Sequence, residues 1–271
     1  QDPNDEPASV LLECIKAEKE RLIKEGKIKR TKRSEAACDK PHYPYELPEG
    51  WEWVRLGSVG DMTLGKMLDV TKNKGTLRPY LRNINVRWGA FELSDVLEMR
   101  FEDDELERYS IRHGDLVICE GGEPGRCAVW QSEEVVFYQK ALHRVRAIEV
   151  LPEFLYYVIR HFIISNQYER YYTGTTIKHL TGQSLRIIPI PLPPLNEQKL
   201  IVEHLQRIIE EIDKIETEKT EALSLVSFAK SKRPLLKNSP LLTFLPSAVG
   251  IPPRSLKLNT LSIKYSVFKY I

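Results

Sequence analysis

The sequence has few cysteines and no long apolar run. Its four cysteines lack the paired C-x-x-C spacing of a zinc site and are too sparse for a disulfide framework. The most apolar stretch, 154–164, is broken by Arg160 and His161 and falls short of the roughly 20 residues that span a bilayer. Residues 1–5 show no sign of a secretory signal. These absences favour a chain that works in a reducing cytoplasm, away from membranes.

A nucleotide-binding motif is also lacking. Gly60–Met67 has the spacing of a phosphate-binding loop, but Met67 stands where a Ser or Thr hydroxyl must hold magnesium. The cluster Gly121–Gly125 lacks the G-x-G-x-x-G spacing of a dinucleotide site, and it is better interpreted as a turn between strands. We therefore expect no nucleotide cofactor.

Candidates for catalysis are equally incomplete. Asp115 and Glu120 resemble the carboxylates of a metal-dependent nuclease, but Gly122 stands where the charge-stabilising lysine is needed. The chain lacks an Asn-Pro-Pro-Tyr or Asp-Pro-Pro-Tyr motif for amino methylation, and its six histidines lack ligand spacing. The sequence predicts a non-catalytic chain with no catalytic residue, metal ligand or cofactor.

Charge is unevenly distributed. The net charge is only +2, yet the residues after Glu221 carry eight Lys or Arg and no acid, so that residues 1–221 are net negative. A chain that binds nucleic acid through overall basicity is not indicated. Any such contact has to come from local patches.

The N-terminal region, 1–46, is predicted to form a helix and a basic linker. Leu11, Ile15 and Leu22 share one face of a helix over 9–25, for which Ser9 is the expected N-cap and Gly26 the expected end. The basic run 27–33 then leads into prolines, and a new domain is expected to begin near Leu47.

The region 47–195 is predicted to be a mixed α and β domain. Short strand-like runs separated by turn residues occur at 53–56, 80–86, 115–119, 128–130 and 135–138. Two helices are expected among them, an acidic one near 103–109 and an apolar one over 152–167.

A long helix is predicted over 196–239. The extended proline strap Pro189–Pro194 precedes it, and Asn196 is the expected N-cap. Apolar positions then follow the 3.5-residue period of a coiled-coil seam, interrupted by Lys219. The seam residues are Ile201, Leu205, Ile208, Ile212, Ile215, Lys219, Ala222, Val226 and Ala229. The helix either packs on the first helix of this chain or pairs with an equivalent helix elsewhere, and its length favours pairing.

Five segments, in this order, resemble the specificity subunit of Type I restriction-modification enzymes. They are Leu47–Gly57, Tyr80–Asn85, Gly114–Ile118, Gly174–Leu180 and Ile190–Gln198. The resemblance covers roughly residues 9–239, and the shared order is far more specific than any one segment.

The resemblance implies an α+β fold in which a target-recognition domain carries a long coiled-coil helical arm. Such a domain reads one half of a split target in double-stranded DNA, and paired helices set the spacing between halves. Modification subunits dock on the assembly, a restriction subunit joins through the complex, and these partners supply methyl transfer and cleavage. The alternatives are an inactive remnant and a coiled-coil scaffold without specific DNA binding.

The sequence departs from the full-length pattern because it has one recognition domain instead of two. It begins with Gln, and residues 1–7 resemble a stretch that usually follows the conserved helix. The hypothesis is a second half of a split or frameshifted gene, with 240–271 disordered or read in a foreign frame. The alternative is a half-size subunit that pairs with itself.

Candidate DNA contacts occur first between Lys66 and Arg87, where cations outnumber the single acid, Asp69, and amides are interleaved. Lys and Arg suit phosphates and guanine, and Asn suits adenine. The expected contacts are Lys66, Lys72, Lys74, Arg78, Arg82, Asn83, Asn85 and Arg87. The competing interpretation is a solvated strand face.

A second candidate segment is Tyr171–His179, in which a glycine turn exposes hydroxyl groups and one cation. Thr175, Thr176 and Lys178 are the expected phosphate contacts. The competing interpretation is a turn that merely leads to the proline strap. The acidic run 98–107 is expected to lie off the DNA or face a partner, because its carboxylates repel phosphate.

Overall fold

The computed structural model describes residues 5–30, 43, 45–67 and 69–232. Its contacts divide the chain into two compact units, 1–202 and 203–271, which are described separately. The expected tail, 240–271, and the end of the basic run, 31–33, lie outside the described residues. So do the side chains of the last two seam positions, Val226 and Ala229.

The N-terminal helix α1 spans Ala8–Lys24, close to the predicted bounds. It buries Ala8 and Ile15. Ser9 is not the N-cap: the helix begins one residue earlier, after Pro7, and no side chain caps it. Gly26 follows the helix with φ of +72°, the left-handed conformation that glycine adopts without the Cβ clash, as predicted for its end.

Strands and short helices alternate through the rest of the first unit. The strands are β1 (Glu52–Arg55), β2 (Gly60–Leu64), β3 (Thr76–Leu81), β4 (Val86–Arg87), β5 (Ala90–Phe91), β6 (Leu97–Phe101), β7 (Ser110–Ile111), β8 (Leu116–Cys119), β9 (Cys127–Val129), β10 (Val136–Tyr138), β11 (Leu142–Ala147) and β12 (Pro189–Leu192). The helices are α2 (Leu106–Tyr109), α3 (Pro152–Ile164), α4 (Gly182–Ile187) and α5 (Leu195–Lys232).

Two four-stranded sheets form the body of the domain, in the orders β6-β3-β10-β7 and β2-β11-β8-β9. All neighbours pair antiparallel except β3 and β10, which are parallel. Two-stranded pairs β1-β12 and β4-β5 complete the pattern. The predicted strand 80–86 is interrupted, because Asn83–Asn85 forms a 3₁₀ turn between β3 and β4.

The core fills the space between the sheets and under α3. Aromatic and aliphatic side chains with no exposed surface include Phe101, Ile111 and Tyr138. α3 packs against β8, β9 and β12, and buries Phe154 completely. Each fully buried side chain of this size stabilises the fold by about 2 kcal/mol relative to exposure.

The proline strap is a strand rather than an isolated extended segment. β12 pairs antiparallel with β1, with Glu52 opposite Leu192 and Arg55 opposite Pro189. Prolines lack the amide donor, so they suit a two-stranded edge pair. The pairing brings the start of the predicted 47–195 region against its end.

α5 has 38 residues, about 57 Å at 1.5 Å per residue. Asn196, expected as its N-cap, lies within the helix, and its amide donates to Asp5 at 2.8 Å. Along the predicted seam, exposure rises from half-buried Ile208 and Ile212 to Ile215, which is 63% exposed. The α+β class and the long helix are confirmed; coiled-coil pairing stays a prediction.

Candidate nucleic-acid interface

The Gly121–Gly125 turn between β8 and β9 connects the two candidate segments. On one side the Asn83 amide donates to the Gly121 carbonyl at 2.9 Å. On the other side the Leu180 amide donates to the Glu120 carbonyl at 2.7 Å. Residues almost one hundred positions apart therefore lie on either side of a single turn.

The Thr173–His179 segment is a closed loop. Thr173 and His179 exchange backbone hydrogen bonds of 2.8 Å, and Gly174 has φ of +88°. A Cβ on Gly174 would lie 2.3 Å from the Ile177 carbonyl oxygen, so the loop requires glycine here.

The three expected contacts of this loop are at its surface. Thr175, Thr176 and Lys178 are exposed. The Lys178 ammonium pairs with Glu169 at 2.6 Å and lies 5.8 Å from the Tyr172 ring centroid. This surface ion pair is weak enough for a phosphate to replace the carboxylate.

A third turn, Gln139–Ala141, joins β10 to β11 beside the glycine turn. The Glu120 amide donates to the Ala141 carbonyl at 2.9 Å, so backbone hydrogen bonds connect Ala141, Glu120 and Leu180 in that order. We call the turns 82–88, 120–126, 139–141 and 173–179 the loop cluster.

The structure buries two expected contacts, Lys66 and Asn85. Lys66 is 4% exposed, and its ammonium contacts the carboxylates of Glu102 and Glu105. Asn85 is 1% exposed, and its amide donates to the carbonyls of Glu92 and Asp95. A ligand at the surface does not reach these groups, so both residues leave the candidate interface.

Electrostatics explains why Lys66 stays charged in the interior. Burial lowers the pKa of Lys66, but its hydrogen bonds to Glu102 and Glu105 outweigh burial and raise it. The same contact with Lys66, together with the Lys74 backbone amide, lowers the pKa of Glu102 to about 2. Phe101 and Tyr109 rings lie under the ammonium at 5.5 and 5.8 Å.

Three further expected contacts hold neighbouring protein groups. Arg82 donates to the carbonyl and carboxylate of Asp95, both at 2.7 Å. The Asn83 amide holds Gly121, and its buried Oδ1 has no hydrogen-bond partner among the described residues. Arg78 is half-buried over the ring of Phe137. These side chains contact neighbouring parts of the protein and do not extend into solvent as free DNA contacts would.

The remaining expected contacts, Lys72, Lys74 and Arg87, are exposed. Lys72 forms a loose pair with Asp69 at 3.4 Å. Within the described part of the chain, no carboxylate lies within ion-pair distance of the Lys74 or Arg87 side chain, although the charge of Arg87 contributes to the lowered pKa of Glu92.

The turns themselves contribute contacts that the sequence did not predict. Arg126 donates to Glu123 at 2.7 Å and to the Asn83 carbonyl at 3.0 Å, and Trp88 donates to Glu123 at 2.7 Å. Lys140 was missed as well, although it is an exposed cation between two predicted structural segments. Its neighbours in space are far away in sequence, so no local signal distinguished it.

A family model, the Type I restriction modification DNA specificity domain, matches residues 48–225. The chain belongs to this family. It is 30% identical to the Type I restriction enzyme EcoAI specificity subunit of Escherichia coli over 79% of this chain and 38% of that protein. It is 25% identical to the EcoEI specificity subunit of Escherichia coli over 80% and 38%. The chain thus spans less than half the length of these curated relatives.

Solved structures agree with this membership. The HsdS subunit from Thermoanaerobacter tengcongensis superposes with a TM-score of 0.53 at 26% identity, over 78% of this chain and 53% of that one. A chain from a structure of the assembled type I R-M system superposes with a TM-score of 0.56 at 22% identity, over 82% and 54%, and it supports the fold alone.

The groups that resembled catalytic motifs have structural roles in this specificity domain. Gly60–Leu64 of the phosphate-loop match is strand β2. Asp115 is 2% exposed and pairs with Arg146 at 2.7 Å, so it is not a free metal ligand. Among the described residues there is no cluster of three or more potential metal ligands, and no helix is long and apolar enough to cross a bilayer.

Proposed function

We propose that this specificity domain binds double-stranded DNA through the loop cluster and recognises one half of a bipartite target. The observation that carries the proposal is the convergence of two separate candidate segments on the Gly121–Gly125 turn. Exposed cations suit phosphates: Arg87 and Lys178 lie on these loops, and Lys74 lies before the start of β3, outside the loop cluster. Hydrogen bonds between the turns hold their backbones in fixed positions.

The domain acts within a Type I restriction-modification complex in this proposal. Modification subunits dock on it, and a restriction subunit joins through the complex, which supplies the catalysis that this chain lacks. The names of the relatives and their greater length support this role. Region 47–195 is the recognition domain, and α5 pairs with a second recognition half or with another copy.

The test is a selection of randomised DNA duplexes by the purified chain at fixed salt, followed by anisotropy titration of the enriched sequence. We expect a short half-site to be enriched. Combined replacement of Lys74, Arg87 and Lys178 by Ala should weaken binding to all duplexes and make it less dependent on salt.

Lys16→Ala on α1 is the matched control, because Lys16 is an exposed cation already paired with Glu13. The neighbouring Lys19 contacts Gly57 and Gly60, at the opposite end of β2 from the loop cluster. The proposal fails if no sequence is enriched, or if Lys16→Ala weakens binding as much as the triple variant. Absent or non-selective binding would instead support the remnant or scaffold interpretation.

A further inference from the structure

The Gln139–Ala141 turn is held by backbone hydrogen bonds to three separate parts of the chain. Gln139 donates to the Leu81 carbonyl at 3.2 Å, and Lys140 donates to the Lys66 carbonyl at 2.6 Å. Glu120 donates to the Ala141 carbonyl at 2.9 Å. A three-residue turn with three external hydrogen bonds has little freedom to move.

Ala141 has φ of +84°, a left-handed conformation in which the Cβ of an L-residue clashes with its own backbone. The chain places glycine at several other positive-φ positions, including Gly122 and Gly125 in the adjacent turn. A non-glycine residue in this region persists when surrounding contacts determine the backbone, and such positions concentrate at binding sites.

Lys140 lies at the tip of this rigid turn. Its side chain is exposed, and no carboxylate among the described residues pairs with it. A fixed backbone holds the start of a side chain in one place, and an ammonium held in this way can donate to the O6 and N7 acceptors of guanine in the major groove.

We propose that Lys140 is a specificity-determining residue that donates to a guanine in the half-site, and that the strained turn positions it. This inference rests on the proposed function. The proposal gives Lys140 a different role from Lys74 and Lys178. Those two lysines contact phosphates, which carry no sequence information.

The experiment compares Lys140→Ala with the unaltered chain in the same duplex selection, and then titrates the selected duplex and single-base variants of it. We expect Lys140→Ala to lose the preference for guanine at one base pair by about tenfold, with a much smaller loss of affinity for unrelated duplexes. Lys140→Arg should keep the preference, because Arg also donates to guanine O6 and N7.

Two results would overturn the assignment while leaving the proposed function intact. One is an equal loss of affinity for all sequences, together with a dependence of log binding constant on log salt concentration that is smaller in magnitude by about 1. This result indicates a phosphate contact. The other is an unchanged base preference. If the unaltered chain selects no sequence at all, the proposed function fails together with the inference.

Ala141→Gly tests the positioning by the turn. Glycine removes the left-handed strain, so the variant should melt at the same or a higher temperature. Its preference for the same guanine should be retained, because the three backbone hydrogen bonds that hold the turn do not involve the Ala141 side chain. A variant that loses the preference without loss of stability would contradict positioning by these hydrogen bonds.

Discussion

Lys66 and Lys74 lie eight residues apart in one basic segment, yet the structure gives them opposite environments. Lys66 is 4% exposed between two carboxylates, while Lys74 is exposed and has no described carboxylate partner. Their chemistry is identical, so the difference comes from what surrounds each ammonium group. A buried lysine has to be paired, because an unpaired charge in the interior is too costly.

The same contrast holds for arginines. Arg144 is 3% exposed, with Asp61 at 2.7 Å and the Ser110 carbonyl at 3.1 Å, whereas Arg87 is exposed. The domain therefore uses interior cations to join its strands and keeps other cations at its surface. The two groups should respond differently to substitution.

The largest expected effect is that of Lys66→Ala on stability. Removing the ammonium leaves Glu102 and Glu105 facing each other without a counter-charge; because both carboxylates are about one-third exposed, the free energy of unfolding should fall by about 2 kcal/mol. Urea unfolding measures the change. Lys74→Ala is the matched control, and equal losses in the two variants would remove the distinction between buried and exposed lysines.

Gly121→Ala should have a smaller effect on stability and a larger one on binding. A Cβ at this position would lie 2.8 Å from His179 Nδ1, so the Thr173–His179 loop has to shift, at a cost of about 1 kcal/mol. We expect weaker DNA binding by anisotropy.

Gly182→Ala in α4 is the control, because its nearest contact would be an ordinary 3.4 Å from His143. Unchanged DNA binding by Gly121→Ala would show that the two candidate segments do not form one interface.

The Lys66 cluster should also affect acid stability. The pKa of Glu102 is lowered to about 2 by Lys66 and the Lys74 amide, from an ordinary value near 4.5. The carboxylate therefore stabilises the fold above pH 4.5, and this contribution is lost as the pH falls towards 2.

Urea midpoints measured between pH 5 and pH 2 test this dependence. As the pH falls, the urea midpoint of Glu102→Gln should decrease less than that of the unaltered chain. The exposed Glu98→Gln serves as the control, and an identical decline in Glu102→Gln would contradict the assigned role of Glu102.

Lys74→Ala should have the smallest effect on stability, within about 0.5 kcal/mol, because the lysine is exposed and no described carboxylate pairs with it. If the chain binds DNA, the slope of the logarithm of its binding constant against the logarithm of salt concentration should be smaller in magnitude by about 1 in this variant. A large loss of stability would place Lys74 with the buried cations instead.

Much of the architecture was predictable because it depends on local patterns. The long helix follows from regular apolar spacing after a proline strap, and Gly26 ends α1 as predicted. Helix starts were harder: Ser9 and Asn196 do not cap, since the helices begin before them. A polar residue near a helix start has several possible partners, as the contact between Asn196 and Asp5 shows.

The sequence by itself determined the α+β class, the long helix and which segments carry exposed polar groups, because composition and periodicity are local properties. Tertiary structure alone decided which cations point outward. Lys66 and Asn85 are buried because the acidic turn after β6 reaches Lys66 and the segment between β5 and β6 reaches Asn85. The Gln139–Ala141 turn, which carries Lys140, joins the loop cluster through backbone contacts with Lys66, Leu81 and Glu120, and such long-range pairings leave no trace in a local pattern.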